Sequence, residues 1–370
     1  GFQKVMALRT NSSNNTVFAD RQGNIAYWHG NFIPRRNPAF DWSRPLDGSD
    51  PATAWKGLHR VKEIVQLRNP ATGWLQNCNS TPFTAAAAAS PKPGGFPAYM
   101  APDPENFRGI NAVRVLGRGE RYTLASLIEA AYDPYLAAFE PLIPSLLAAH
   151  EAAYAGQDTL AIALKDPVAV LRTWDYTCGV TSIPTTLAIL WAEQLTALVR
   201  TRLQPGQASD IISINTLMVN ASTPAEKLQM LAEAVRELET RFGTWRTSWG
   251  ELNRFQRLTG KIQESYDDQQ PSLPVGFTPS VWGSLAAFGA RYGNNTNRRY
   301  GYVGNSFVAV VEFGPTLKAK SILAGGQSSD PASPHFRDQA EWYARERFKD
   351  VLFYREDVEK DAERIYRPGQ

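Results

Sequence analysis

Helical periodicity is confined to the middle of this 370-residue chain, and that confinement does most to limit its fold. Between about residues 104 and 241, apolar side chains recur at the three- and four-residue spacing of an α-helix. On either side lie short β-branched and aromatic runs punctuated by Pro, Gly, Asn and Asp. Strand-rich ends around a helical middle predict an α+β fold whose sheets are completed by segments distant in sequence. The chain therefore reads as one structural unit with three textures: residues 1–103, strand- and loop-rich; 104–241, helical; 242–370, a return to strands with C-terminal helices. No repeat of fixed period interrupts this order.

Within that frame the local signals are specific. Thr16–Ala19 and Asn24–Trp28 flank "DRQG", a hairpin with glycine at its turn. "TAAAAASPKPGG" reads as a connecting loop, because Pro and Gly-Gly follow the alanines. Asp103 stands as N-cap and Pro104 as the first helical residue of "APDPENFRGINAVRVL", and Thr123 caps "TLASLIEAAYD". Four further stretches between Tyr135 and Gly243 carry helical stripes, whose charged faces are read as solvated scaffold. "NSFVAVVEFG" and "KAKSILAG", separated by Gly314 and Pro315, predict antiparallel neighbours, and "RDQAEWYARERF" and "REDVEKDAERIY" predict terminal helices.

Composition narrows the function classes. A net charge of +3 lacks the clustered Lys and Arg of a nucleic-acid footprint, and no apolar run is long enough to span a membrane. The 10 Trp, 25 Pro and 27 Gly suggest long loops packed by aromatic rings. His29, His59, His150 and His335 are scattered, with no zinc-site spacing. Cys78 and Cys178 are either two free thiols or one disulfide, a choice the sequence leaves open.

The stretch "GWLQNCNSTPF" places Asn77 and Asn79 just before Pro82, where a strand-like lead-in ends. Asparagine disfavours strands, so the pair either builds an ordinary turn or holds carboxamides out for chemistry. Arg108 and Arg114 in "FRGINAVRVL" are six residues apart and lie on different helix faces. Each has an ordinary reading as a bracing ion-pair partner. Glu251 and Arg254 in "WGELNR" read as a bracing pair one turn apart.

Four ordered motifs carry a resemblance. "NTVFADRQGNIAYWHG", "GWLQNCNSTP", "GTWRTSWGELNRFQRL" and "AGGQSSDPASPHFRDQAEWY" together resemble segments of the penicillin amidase and acyl-homoserine-lactone acylase family. "RGINAVRVL" leans toward the lactone-acylase branch. The resemblance implies an N-terminal-nucleophile hydrolase with αββα architecture, present here as an incomplete portion of the β subunit. Members of that family cleave amides with an N-terminal Ser whose own α-amine is the base, and donors placed in advance stabilise the oxyanion. By the match Asn79 takes the oxyanion-hole position, while Asn77 braces the turn. The family's active-site arginine falls on Arg114 by the "AVRVL" alignment, with Arg108 as competitor. His335 falls in a structural loop where Ser333, Pro334 and Asp338 pin a helix start.

Gly1 is not a family nucleophile, so the resemblance implies that the Ser lies outside this chain. It also implies partners: the remaining β-subunit segment and the α subunit of the same precursor, plus a small-molecule amide substrate. No cofactor is expected in this chain, calcium in the complete enzyme having its ligands upstream. A periplasmic or secreted location follows from the resemblance only. The rival reading is a non-catalytic ligand-binding or structural module with an aromatic-lined pocket.

Overall fold

The computed structural model describes residues 1–10, 14–30, 32–367 and 369. Packing divides the chain into two units: Gly1–Glu120 with Asp210–Ile212, and Arg121–Ser209 with Ser213–Gln370. This is a different division from the three textures, since the helical section and the returning strands fall mostly within one unit. Texture follows local hydrogen bonding, whereas a unit is defined by which side chains bury one another.

The first unit begins with helix α1 (Phe2–Ala7) and the strands β1 (Thr16–Ala19) and β2 (Ile25–Trp28). β1 and β2 pair antiparallel, Thr16 opposite Trp28, and β3 (Gln66–Arg68) adds antiparallel to the other edge of β2. The hairpin turn closes as its residues dictate. Asp20 Oδ1 accepts from the backbone N–H of Gln22 and Asn24, both at 2.9 Å, and Gly23 takes a φ of 82°. As the middle strand, β2 buries Ala26, Tyr27 and Trp28 in succession. Trp28 packs into a core with Met6, Val61, Ile64, Val65 and Met100, which Phe2 and Phe18 cover. The alanine-rich stretch is a chain of short 3-10 turns, Pro82–Thr84, Ala87–Ala89 and Pro93–Gly95. Helix α2 (Phe107–Leu116) follows.

Asp103 and Pro104 do not open α2. Asn106 is the cap, its Oδ1 accepting from Gly109 N at 2.9 Å. The Asp103 carboxylate is engaged by a histidine, and the Pro104 carbonyl accepts from Thr81 N at 3.1 Å.

In the second unit, apart from the first two residues of α8, the helices are α3 (Leu124–Ala131), α4 (Phe139–Ala155), α5 (Thr159–Ala163), α6 (Lys165–Arg172), α7 (Ile183–Arg200), α8 (Ile211–Asn220) and α9 (Pro224–Phe242). Thr123 caps α3 as its sequence predicts. α8 has no counterpart in the sequence reading. Leu142, Leu146, Leu171, Leu187, Trp191 and Leu231 are each fully buried, and Phe139 sits against Trp174 and Trp282, both at 5.2 Å between ring centroids.

After α10 (Trp249–Leu252), the strands β4 (Asn253–Phe255), β5 (Leu273–Pro274), β6 (Phe288–Tyr292) and β7 (Arg299–Gly304) form a sheet in the order β5-β4-β7-β6. β8 (Phe307–Glu312) and β9 (Lys318–Leu323) pair antiparallel over six residue pairs, as the sequence predicts. They form a second sheet with β10 (Lys349–Asp350). The terminal helices are short: α11 (Ala340–Ala344) and α12 (Arg355–Lys360).

Glu251 and Arg254 are not ion-pair partners. Glu251 meets Arg298 at 2.5 Å, while Arg254 donates to Gly250 O, Ser272 Oγ and Ser272 O. α10 ends at Leu252, so Arg254 already lies on a strand and the one-turn spacing no longer applies. His335 is exposed, with Nδ1 2.9 Å from Asp338 Oδ2, and Ser333 Oγ accepts from His335 N. The same loop is tied down by Arg257, which donates to the carbonyls of Phe336, Gly326 and Ser328.

Candidate active site

In the first unit an open cleft of about 820 Å³ runs between the end of β2 and the asparagine turn. His29, Arg36, Asn77, Asn79, Tyr99 and Asp103 are among the side chains on its walls. Asn79 sits at the tip of the turn with a φ of 56°, a left-handed conformation that asparagine tolerates better than most residues. Its side chain is exposed, and its orientation is set from outside the turn. Arg108, in the first turn of α2, sends Nη2 to Asn79 Oδ1 at 2.8 Å and to Cys78 O at 3.0 Å. Arginine only donates, so the carboxamide atom facing it must be the oxygen. The amide nitrogen, with its two N–H donors, is thereby turned to the opposite side.

The turn is held by two neighbouring side chains. Asn106, while capping α2 with its oxygen, donates from Nδ2 to Cys78 O at 3.1 Å. Gly109 lets the helix approach closely, because a Cβ there would fall 2.6 Å from Ser80 Oγ and 2.4 Å from Glu105 Oε1. Arg108 is thus the arginine next to Asn79. Arg114, favoured by the sequence match, is exposed on another face and donates from Nε to Asn111 Oδ1 at 2.8 Å.

The opposite wall is a polar chain that the sequence reading did not single out. Tyr27 and His29 are two residues apart on an extended segment and share a face, a signal present in "YWHG". Tyr27 Oη lies 2.9 Å from His29 Nδ1, and His29 Nε2 lies 3.1 Å from Asp103 Oδ2. Asn77 reaches Tyr27 Oη at 3.5 Å, so its side chain contacts this chain rather than bracing its own turn. One donor order satisfies every member. Asn77 donates to Tyr27, the Tyr27 hydroxyl donates to His29 Nδ1, and His29 Nε2–H donates to Asp103. Burial pushes the Tyr27 hydroxyl well above its ordinary range, which keeps that donor protonated. The hydrogen bond from His29 is the main influence holding the Asp103 carboxyl below its usual value.

Neither cysteine is an activated nucleophile. Both are free, and burial raises the Cys78 thiol and pushes that of Cys178 up to about 12. Among the described residues no group of three or more His, Cys, Asp or Glu could hold a metal ion, and no helix is long and apolar enough to cross a membrane.

Comparison with known proteins gives the family. The description "Penicillin amidase" matches residues 1–360. The chain belongs to the penicillin amidase family. It is 26% identical over 384 residues to the acyl-homoserine lactone acylase PvdQ of Pseudomonas fluorescens, covering 94% of this chain and 46% of that relative. The chain thus spans about half the length of the curated relative it matches. Its fold is similar to a thermostable penicillin G acylase from Alcaligenes faecalis, with a TM-score of 0.59 and 17% identity over 99% of this chain and 69% of the other. The penicillin amidase match takes in both units and therefore all the residues that line the cleft, Asn79 among them.

Proposed function

We propose that this chain is part of an acylase that cleaves the amide of an N-acylated substrate, and that Asn79 supplies an oxyanion donor. The N-acyl homoserine lactones, penicillins and lipopeptides are the substrate classes in view. The nucleophile is an N-terminal Ser on polypeptide outside this chain, with the remaining β-subunit segment and the α subunit completing an αββα enzyme. Calcium, if that enzyme holds it, is bound upstream, and the assembled precursor product works in the periplasm or outside the cell.

The observation that carries this reading is the orientation of one carboxamide: with Asn79 Oδ1 taken by Arg108, the N–H donors are free to meet negative charge. When Ser Oγ adds to the carbonyl carbon, its proton passes to the α-amine and the carbonyl oxygen becomes an oxyanion. A neutral donor fixed before the reaction stabilises that charge without reorganising, and removing one such donor costs about 3–4 kcal/mol. The cationic partner behind the carboxamide polarises it further, strengthening the N–H on the far side. Collapse then expels the amine, and water hydrolyses the acyl-Ser ester.

Asn79→Gly in the complete protein tests the assignment. Glycine adopts the left-handed φ without strain, so the change removes the amide and little else. Turnover is expected to fall about 10²- to 10³-fold with the melting temperature nearly unchanged. Unaltered turnover would favour the reading as a non-catalytic binding module.

A further inference from the structure

Among the described residues, the cleft holds a cation with no anionic partner. Arg35 and Arg36 are adjacent but differently engaged. Arg35 meets Glu63 Oε2 at 2.6 Å and Leu58 O at 3.2 Å. Arg36 makes no ion pair or hydrogen bond among the described residues, and its Nε is buried without an acceptor. Folded proteins rarely leave a buried donor unmatched, and such a group calls for a ligand or another explanation.

What surrounds Arg36 is aromatic. Its guanidinium carbon lies 5.2 Å from the ring centre of Trp42, 5.6 Å from Trp55 and 5.9 Å from Tyr99. Two of those rings are themselves anchored: Trp42 Nε1 donates to Asn37 O at 2.7 Å, and Tyr99 Oη is 3.0 Å from His59 Nε2. Cation–π contact holds a guanidinium in place while leaving its N–H donors unspent. Those donors form a planar fork that fits a carboxylate through two parallel hydrogen bonds. Asp103, the carboxylate on the same cleft, is occupied by His29.

We infer that Arg36 and its aromatic cage form an anion subsite in the cleft of Asn79, and that the substrate is an amide bearing a carboxylate, an N-acyl amino acid rather than a neutral amide. The inference rests on the amide-cleaving reading of the same cleft. The carboxylate docks on Arg36 and positions the scissile carbonyl toward the Asn79 donors.

The test compares N-hexanoylglycine with the neutral N-hexanoylglycinamide in the complete protein, as wild type, Arg36→Met and Arg36→Lys. Wild type is expected to favour the acid. R36M should raise KM for the acid about 10- to 100-fold, leave the neutral amide within twofold and leave kcat for both nearly unchanged, with R36K intermediate. Calorimetric binding of N-hexanoylglycine is measured in parallel and should weaken by the same factor. Equal KM for the two substrates in wild type, or an equal effect of R36M on both, overturns the subsite while leaving amide cleavage standing. If neither substrate is cleaved, the amidase reading fails, yet a carboxylate affinity abolished by R36M still supports the subsite, and an affinity that R36M leaves unchanged overturns it. The acid-over-amide preference of wild type decides the matter without any variant should R36M fail to fold.

Discussion

Asn79 shows how a single side chain is made functional by its neighbours. A surface asparagine rotates freely, and either end of its amide can face a ligand. Here a residue that can only donate claims the oxygen, which fixes the other end as donor. Arg108→Gln should therefore impair turnover without removing any group that meets the substrate. Glutamine offers both a donor and an acceptor, so the Asn79 amide loses its unique orientation. An expected fall of about tenfold in kcat with KM little changed, partly restored by Arg108→Lys, would follow from losing one charge-assisted hydrogen bond. Full activity in Arg108→Gln would show that the turn orients Asn79 unaided. Arg114, exposed and bonded to Asn111, serves as the contrasting variant expected to affect turnover little.

At the scale of the element, α2 is the part of the scaffold that positions this turn. Its cap and its glycine both act on the residues beside Asn79. Asn106→Ala removes the cap and a bond to Cys78 O together, so a loss of about 1–2 kcal/mol in a denaturant titration is expected. Gly109→Ala tests the close approach directly. The added methyl would collide with Ser80, which is almost fully buried, and overpacking of this kind costs about 1–3 kcal/mol. Both variants should lower kcat along with stability, because the helix start and the asparagine turn move as one piece. A Gly109→Ala protein with unchanged stability and turnover would mean that the Ser80 side chain rotates away without disturbing the turn.

For the molecule as a whole, the pH dependence of stability follows from carboxylates held in their ionised form. Asp103 is held low chiefly by the His29 hydrogen bond, and Glu63 is drawn down to about 2, first by the backbone N–H of Arg60. A carboxyl whose folded pKa lies below its unfolded value of about 4 stabilises the protein above that value. The contribution fades as pH falls through the folded pKa. Asp103→Asn should therefore lower the melting temperature slightly at pH 7, with the gap to wild type closing below about pH 4. Because Asp103 is half exposed, solvent screening keeps the effect small. A gap that persists unchanged at pH 2.5 would show that the carboxylate charge plays no part.

Local rules were legible in the residues themselves. The "DRQG" turn, the Thr123 cap, the β8–β9 pair and the penicillin amidase motifs each depend on a few adjacent positions, where backbone preference and side-chain chemistry act without distant help. Asn79 was also legible as a candidate, because two asparagines before a proline are unusual at a strand end. What only the tertiary structure decided was who meets whom. Arg108 rather than Arg114 reaches Asn79 across 29 residues, Asp103 answers His29 instead of capping a helix, and Arg36 stands among aromatic rings with no carboxylate partner among the described residues. Such encounters are set by the path of long loops and by the packing that closes them, and no periodicity within a short window encodes that path.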